Sequence, residues 1–424
     1  MQPHPADPKQ IERRNFILNI FEGGLFIASG GIVSVQTVLP ALVVRLGGND
    51  VAVGALSVIV YVGAFLPQFF AARIVETLPW KKPWSTTFGF FQRLALLVNG
   101  ILIWALATEW PGIALAMFFL TFAFQQVMGG IATPGWFDFF AKLTPMKKRG
   151  RLIGLRISVG GIGAFFTGLL LTWLLLRFAF PTNYALALLI ASLFQFLSLA
   201  VQFRLVEAEP SKTVELKPIF AFLRQLPVVL RGNHDFRRFL VSAAFLIPAT
   251  MPVGFFTVYA LQRFQASESM VGAFTLSMVA IQVVSALVTG LTADRHGHKV
   301  ALLIAAAAML LATLTALLAP AVEWFILVFV FVGINAGTEV MSRFNIAVEY
   351  GPPEQRSTYI GLMNTVLAPF YLSGLLAGAI SQMFGYEVLF GAGILCSLIG
   401  SWFLYSRVRD PRVLHGTSHS PDAP

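Results

Sequence analysis

The chain has 424 residues, of which 57% are hydrophobic and only 12% are charged. Soluble domains carry about 25% charged residues, so this composition excludes an ordinary soluble protein and indicates one that folds in a lipid bilayer. The single cysteine, Cys396, excludes an intrachain disulfide framework and a thiolate metal cluster. The net charge of +10 lies in short gaps between apolar runs, which is typical of membrane topology rather than of nucleic-acid binding.

About twelve apolar runs follow one another along the chain, and each is long enough to cross the hydrocarbon core as an α-helix. None has the ten-residue alternation of a membrane β-barrel, so the predicted fold is an all-α integral membrane protein with 12 transmembrane helices. No cleavage site follows the polar N-terminal arm, so the first span is expected to stay in the protein. The predicted spans cover residues 16–44, 51–75, 85–108, 112–141, 152–176, 183–205, 238–262, 268–292, 299–319, 324–347, 359–384 and 386–407.

The distribution of basic residues predicts the orientation of these spans. If odd-numbered spans run outward, 25 of the 30 Lys and Arg residues lie on the inner side and three lie on the outer side. The remaining two, Arg93 and Arg343, are counted as lying inside spans. Because inner loops are enriched in Lys and Arg, we expect both termini in the cytoplasm of a cell whose inner (plasma) membrane holds the chain.

The longest connection divides the chain into six spans and six spans. Residues 1–206 are predicted to form an N-terminal six-helix bundle, and residues 237–424 a C-terminal six-helix bundle with a short cytoplasmic tail. Residues 207–236 form a cytoplasmic linker, in which the segment from Ile219 to Arg231 is predicted to be an amphipathic basic helix on the inner leaflet.

Two internal repeats relate the halves. Pro145, Arg149, Gly154 and Leu155 recur 207 residues later as Pro352, Arg356, Gly361 and Leu362. A shift of 218 residues brings Ala72, Glu76, Pro79 and Lys81 under Gly290, Asp294, Gly297 and Lys299. Both offsets keep the same side of the membrane, so the two bundles are predicted to be a parallel, pseudo-symmetric repeat.

A charged hairpin, Gly290-Leu-Thr-Ala-Asp294-Arg295-His-Gly297-His-Lys299, connects the eighth and ninth predicted spans. Gly297 is suited to the positive φ that a sharp reversal needs. Asp294 is placed to cap a neighbouring helix N-terminus or to pair with a base. Arg295 and Lys299 keep the loop on the positive side of the membrane.

This hairpin, the parallel halves and the central basic loop together resemble the major facilitator superfamily of secondary transporters. The likeness extends to a bacterial subgroup with phrases such as Gln36-Thr-Val-Leu-Pro40, Leu66-Pro-Gln68 and Arg356-Ser-Thr-Tyr-Ile-Gly361, and it implies no particular substrate. The first-half hairpin departs from the family pattern, with Ala72 in place of Gly and Glu76 in place of Asp. The resemblance implies that the charged loops form a gating network; its predicted members are Glu76, Lys81, Arg149, Gly290, Asp294, Arg295, Gly297, Lys299 and Arg356.

The resemblance also implies that the first, fourth, seventh and tenth spans line a central cavity, and polar side chains in lipid face a partner or water in any case. Glu22 on the first span is either a proton-coupling carboxylate or a static ion pair with Arg93. Glu339 and Arg343 lie four residues apart on one helix face, where they either pair structurally or take part in substrate binding and proton coupling.

Neutral amides supply the other cavity candidates, although such groups also hold helices together. The predicted cavity residues are Gln125, Gln126, Asn335, Glu339, Arg343 and Asn364. Pro248 and Pro252 in the seventh span remove two helical donors and predict a kink, which is either a hinge or a tolerated irregularity.

Together these features predict a secondary active transporter of a small organic solute that works by alternating access and is coupled to protons. An uncoupled facilitator and a drug efflux pump remain alternatives, as do a membrane-embedded enzyme and a transporter-like sensor. We expect no enzymatic activity, no cofactor, no metal site and no nucleic-acid partner, and a monomer in the lipid bilayer. The substrate, its direction of transport and the coupling ion are left open by the sequence.

Overall fold

The computed structural model describes residues 8–211, 230, 232–351 and 356–411, apart from the side chains of Pro8, Met146, Lys147, Asp294 and residues 356–358. All regular secondary structure in these ranges is helical, as predicted. Helices suit a chain this apolar, because a helix satisfies its backbone N–H and C=O groups internally where lipid offers no partner. The predicted amphipathic segment of the linker falls outside the described residues, apart from residue 230.

The helices before the linker have the following bounds. They are α1 (Pro8–Ser29), α2 (Val38–Arg45), α3 (Asp50–Glu76), α4 (Lys82–Leu106), α5 (Pro111–Leu143), α6 (Met146–Arg177) and α7 (Thr182–Arg204). Those after it are α8 (His234–Ala249), α9 (Val253–Phe264), α10 (Ser269–His296), α11 (His298–Leu318), α12 (Trp324–Tyr350), α13 (Arg356–Leu367), α14 (Ser373–Phe384) and α15 (Tyr386–Arg407). A 3-10 turn, Ala368–Leu372, joins α13 to α14.

Within the described residues, eleven helical segments are long and apolar enough to cross a membrane. Two of them are helix pairs, α8 with α9 and α13 with α14. Helix α1 has 22 residues, but the charged and amide side chains in its sequence keep it outside this group. The chain is therefore a multi-pass membrane protein.

Both interrupted segments break at proline. The seventh predicted span ends as α8 at Ala249 and restarts as α9 at Val253, with Pro252 in the position before the new helix. The predicted kink is thus a break of the helix. Pro369 lies in the 3-10 turn between α13 and α14, where its missing N–H ends the α-helical ladder in the same way.

The chain divides into two compact units. Unit 1 comprises Met1–Asn49, Leu56–Leu216 and Ser267–Val279, and unit 2 comprises Asp50–Ala55, Lys217–Ala266 and Ala280–Pro424. The first turns of α3 therefore belong to unit 2, whereas the rest of α3 belongs to unit 1. The reverse holds for α10, whose first turns belong to unit 1.

In unit 2, the start of α3 packs closely on α14. A Cβ added to Gly378 would lie 2.6 Å from the Cα of Val51, and one added to Gly54 would meet the carbonyl of Gly374. Small residues permit this backbone-to-backbone approach between membrane helices. In unit 1, the start of α10 is held by Glu268, which accepts a hydrogen bond from the Asn183 amide at 2.9 Å and pairs with Arg45.

Candidate functional site

A buried ion pair lies inside unit 1, between α1 and α6. The Oε2 atom of Glu22 is 2.6 Å from Nη1 of Arg156, and the two side chains are only 4% and 10% exposed. The same guanidinium nitrogen donates to the backbone carbonyl of Asn19 at 2.9 Å and to its side-chain oxygen. Gly23 leaves room for the guanidinium, because a Cβ there would collide with it. The charges of the carboxylate and the guanidinium therefore compensate each other inside unit 1.

Aromatic rings of α5 enclose the other side of Arg156. Its guanidinium carbon lies 5.0 Å from the ring centre of Trp136 and 5.5 Å from that of Phe140, and these two rings stack on each other. Cation–π contacts of this kind gain strength when the cation is removed from water. From the sequence, Arg156 was counted among the inner-side bases, at the start of the predicted span 152–176. Helix α6 begins at Met146, however, so ten residues of helix carry Arg156 about 15 Å from its start.

Arg93, the partner that the sequence offered for Glu22, is engaged elsewhere. Its Nε donates to the Gln195 carbonyl at 2.7 Å and its Nη1 donates to the Gly89 carbonyl at 2.8 Å. The guanidinium also lies 5.5 Å from the ring centre of Phe26. The predicted static pair of Glu22 with Arg93 is thus replaced by the pair with Arg156, because α6 packs on α1 and brings Arg156 within ion-pair distance.

Unit 2 contains a second buried pair, between the two α12 residues that the sequence places on one face. Oε1 of Glu339 lies 3.0 Å from Nε of Arg343. Arg343 is 4% exposed, and its Nη1 donates to the hydroxyl of Tyr371, whose ring centre is 5.7 Å from the guanidinium carbon. Tyr371 lies in the 3-10 turn between α13 and α14. The break in that span therefore positions the phenol that holds Arg343.

Glu339 also borders a small cavity, and its side chain is 21% exposed. The cavity has a volume of about 10 Å3, close to the space that one water molecule needs. Asn335, one helical turn before Glu339, lines the same cavity and donates from Nδ2 to the Ala305 carbonyl at 2.9 Å. The cavity is lined by Leu246, Ala249, Leu302, Ala306, Met309, Asn335, Glu339 and Ser397.

The remaining amide candidates are distributed over both units. Gln125 is buried in α5 of unit 1, and the neighbouring Gln126 is half-buried and packs against Gly63 of α3. Asn364 is half-buried in α13 of unit 2. Of the predicted cavity residues, the structure brings Asn335, Glu339 and Arg343 together.

The hairpin between α10 and α11 reverses at Gly297, which has a φ of 87° as predicted. Its N–H donates to the Ala293 carbonyl at 2.9 Å. Lys299 donates from Nζ to the Tyr405 carbonyl at 3.0 Å, so the hairpin is tied to the end of α15 within unit 2. Gly290 and Arg295 are exposed. The side chain of Asp294 lies outside the described part of the chain.

The corresponding loop of unit 1 follows α3. Glu76 is exposed at the end of that helix, whereas Lys81 is only 3% exposed. The Nζ atom of Lys81 donates to the Val75 carbonyl and lies 3.9 Å from a carboxylate oxygen of Asp138. Burial lowers the pKa of Lys81 below its usual value, and the negative charge of Asp138 only partly opposes this effect.

Arg149 and Arg356 occupy corresponding positions in the two repeats, and only the side chain of Arg149 lies within the described residues. Arg149 donates from Nη2 to the Ala141 carbonyl at 2.6 Å and from Nε to the Thr144 carbonyl at 3.1 Å. A cation in this position satisfies the free carbonyls at the end of α5 and favours the negative end of its dipole. The side chain of Arg356 lies outside the described residues.

Glu207, just after α7, was not singled out by the sequence. Its carboxylate accepts hydrogen bonds from the backbone N–H groups of Lys81 and Lys82 at 2.9–3.1 Å, at the start of α4. It also pairs with Lys142 at 2.6 Å and is only 4% exposed. Glu207 thus caps α4 and fixes the end of α7 to it.

The sequence matches the family model of the Major Facilitator Superfamily over residues 21–368 and 238–423. No curated protein sequence matches the chain. Within the described residues, no group of three or more His, Cys, Asp and Glu side chains is arranged to hold a metal ion.

Solved transporter structures resemble the chain in fold over nearly its whole length. The nucleoside transporter NupG aligns with a TM-score of 0.66 and 14% identity, covering 93% of this chain and 98% of NupG. A D-xylose-proton symporter aligns with a TM-score of 0.64 and 13% identity, covering 95% and 98%. A variant of the peptide transporter POT aligns with a TM-score of 0.65 and 14% identity, covering 94% and 98%.

Proposed function

The chain belongs to the Major Facilitator Superfamily, and we propose that it is a proton-coupled secondary transporter that moves a small organic solute by alternating access. It is a membrane transporter and not an enzyme. The presence of a proton symporter among the structures of similar fold supports the proposal of proton coupling. The observation that carries the coupling proposal is Glu339, a partly exposed carboxylate inside a membrane-spanning helix, paired with Arg343 beside a water-sized cavity.

Glu339 suits this role better than Glu22 does. A coupling carboxylate must exchange protons with water during the cycle, and Glu339 borders space for a water molecule. Glu22 is buried, and its carboxylate pairs with Arg156, whose guanidinium is itself enclosed by Asn19 and an aromatic ring. Protonation of Glu339 would free Arg343 from its ion pair, and a guanidinium is well suited to bind a carboxylate or a phosphate. We therefore assign proton coupling to Glu339 and a structural role to Glu22.

We propose that α1 also crosses the membrane, which brings the number of spans to twelve. Three polar residues of α1 make contacts inside unit 1. Asn15 donates to the Val206 carbonyl at 2.9 Å, and both Asn19 and Glu22 contact Arg156. The proposed layout is a six-helix bundle of residues 1–206, a linker of residues 207–236 and a second six-helix bundle of residues 237–424. The protein is proposed to be a monomer in the inner membrane with both termini in the cytoplasm.

Proton movement in liposomes tests the proposal. Purified protein is reconstituted with a pH-sensitive dye inside, and nucleosides, sugars, peptides and organic acids are added in turn. We expect one class to evoke a pH change in the wild type that Glu339→Gln abolishes. The matched control is Glu387→Gln. Glu387 also pairs with an arginine, Arg263, at 3.2 Å, but its carboxylate is exposed.

Other outcomes would count against the proposal. Solute flux without a pH change, unaltered in Glu339→Gln, would refute proton coupling and favour an uncoupled facilitator. A pH change that is lost in Glu22→Gln and kept in Glu339→Gln would move the coupling role to Glu22. Thermal unfolding of each variant before reconstitution shows whether a loss of flux reflects a loss of folding.

A further inference from the structure

A basic cavity lies in unit 1 where α1, α4 and α7 meet, and its lining includes neither Glu22 nor Arg156. Its volume is about 460 Å3. Three cationic side chains line it, namely Arg14 of α1, Lys82 of α4 and Arg204 of α7, together with the rings of Trp80 and Phe203. The cavity thus combines positive charge with exposed aromatic surface at one end of three helices.

The positive charge of this cavity is not cancelled from within. Glu207 is the one acidic residue in its lining, and the carboxylate is already bound by Lys142 and by two backbone N–H groups. Arg204 is exposed and forms no ion pair with any residue that the structure describes. Arg14 uses one N–H to donate to the Arg204 carbonyl at 3.3 Å, which leaves the rest of its guanidinium for a ligand.

Apolar stripes run along the helices away from the cations. On α1, the exposed residues Ile17 and Phe21 lie three and seven positions after Arg14, on the same helix face. On α7, Leu197 and Leu193 lie seven and eleven positions before Arg204 and are also exposed. Arg14 and Arg204 therefore each lie at the end of an apolar surface that suits an acyl chain.

We propose that this cavity binds the phosphate-bearing headgroup of an anionic phospholipid, whose acyl chains lie along the exposed faces of α1 and α7. Basic pockets between membrane helices bind such headgroups, and aromatic rings like that of Trp80 favour the headgroup level. The linker is a poor alternative occupant, because residues 212–229 carry three basic side chains and one acidic side chain. The lipid site does not depend on proton coupling or on the identity of the solute.

Lipid binding to the purified full chain in detergent tests the proposal by native mass spectrometry. Phosphatidylglycerol and phosphatidylcholine with identical acyl chains are titrated in parallel. We expect the wild type to bind phosphatidylglycerol more tightly, and the double variant Arg14→Gln/Arg204→Gln to bind it about thirtyfold more weakly, since each cation near a headgroup contributes a factor of about five.

The control is the double variant Arg13→Gln/Arg151→Gln. It removes the same charge from two exposed arginines that do not line the cavity. An equal loss of binding in this control, or equal binding of the two lipids by the wild type, would overturn the site. Displacement of phosphatidylglycerol by excess inorganic phosphate would show that the cavity takes an anion from solution, and would overturn the assignment to a lipid. Unchanged thermal unfolding of both double variants confirms that they fold.

Discussion

At the scale of single residues, two arginines within membrane-spanning segments hold their carboxylates in different ways. Arg156 is enclosed by Glu22, Asn19 and the rings of Trp136 and Phe140. Arg343 pairs with Glu339 beside a water-sized cavity. Removal of either partner of an enclosed pair destabilises the fold, because it leaves an uncompensated buried charge. A pair beside a cavity can exchange a proton with water.

Substitution of Glu22 is expected to destabilise the protein. Glu22→Gln leaves Arg156 without a counter-charge inside unit 1, which costs roughly 3–5 kcal/mol for a buried pair. Thermal unfolding in detergent should show a lower transition temperature, and the double variant Glu22→Gln/Arg156→Gln should recover part of the loss. Glu387→Gln breaks an exposed pair, which is worth at most about 1 kcal/mol. A loss for Glu387→Gln as large as that for Glu22→Gln would contradict the assignment.

The burial of Lys81 leads us to expect that the stability of the protein depends on pH. Because burial lowers the pKa of Lys81, the folded protein binds fewer protons than the unfolded chain between the lowered pKa and the usual value of about 10.4. The free energy of unfolding should therefore rise with pH across that window. Lys81→Met should reduce this rise, as measured by thermal unfolding over an alkaline pH series.

The matched control for Lys81 is Lys148→Met. Lys148 is exposed and pairs with Glu12 at 2.7 Å, so its replacement should leave the alkaline rise in place. Besides Asp138, the charged groups near Lys81 are Lys142, Glu207 and Glu76. An unchanged pH dependence in Lys81→Met would show that these neighbours or others cause the rise.

At the scale of helices, the start of α3 packs on α14 within unit 2, and Gly374 and Gly378 of α14 permit the close approach of the two backbones. Gly378→Val should destabilise the protein, since overpacking costs roughly 1–3 kcal/mol and the added Cβ would meet backbone atoms of Asp50 and Val51 that cannot move aside easily. Thermal unfolding measures the change. Gly391→Val is the control, because its Cβ would meet open space. Equal transition temperatures for the two variants would contradict the close packing.

At the scale of the whole molecule, the charge distribution predicts which loops face the outside. Cys396 is the one natural cysteine, so a Cys396→Ser background allows single cysteines to be labelled in intact cells. We expect a membrane-impermeant maleimide to label Arg177→Cys and Arg263→Cys. Arg13→Cys and Arg151→Cys should be labelled only after the cells are opened. The opposite pattern would reverse the orientation, and labelling of all four in intact cells would refute the span assignment.

The class of fold and the family could be predicted from the sequence. Long apolar runs, basic gaps and the Gly290–Lys299 hairpin depend on composition and local spacing, which any helical membrane protein must display along its chain. For the same reason the sequence predicted the reversal at Gly297 and placed Glu339 and Arg343 on one helix face, since both are properties of a single hairpin or a single helix.

Which buried charges form pairs depends on how the helices pack, and the sequence did not predict it. Arg156 was counted with the inner-side bases, because its depth depends on where α6 begins and its partner depends on how α6 packs on α1. Tyr371 and Glu207 were missed for a related reason. Each acts on a residue of another helix, and helix packing brings together side chains whose separation along the chain carries no local signal.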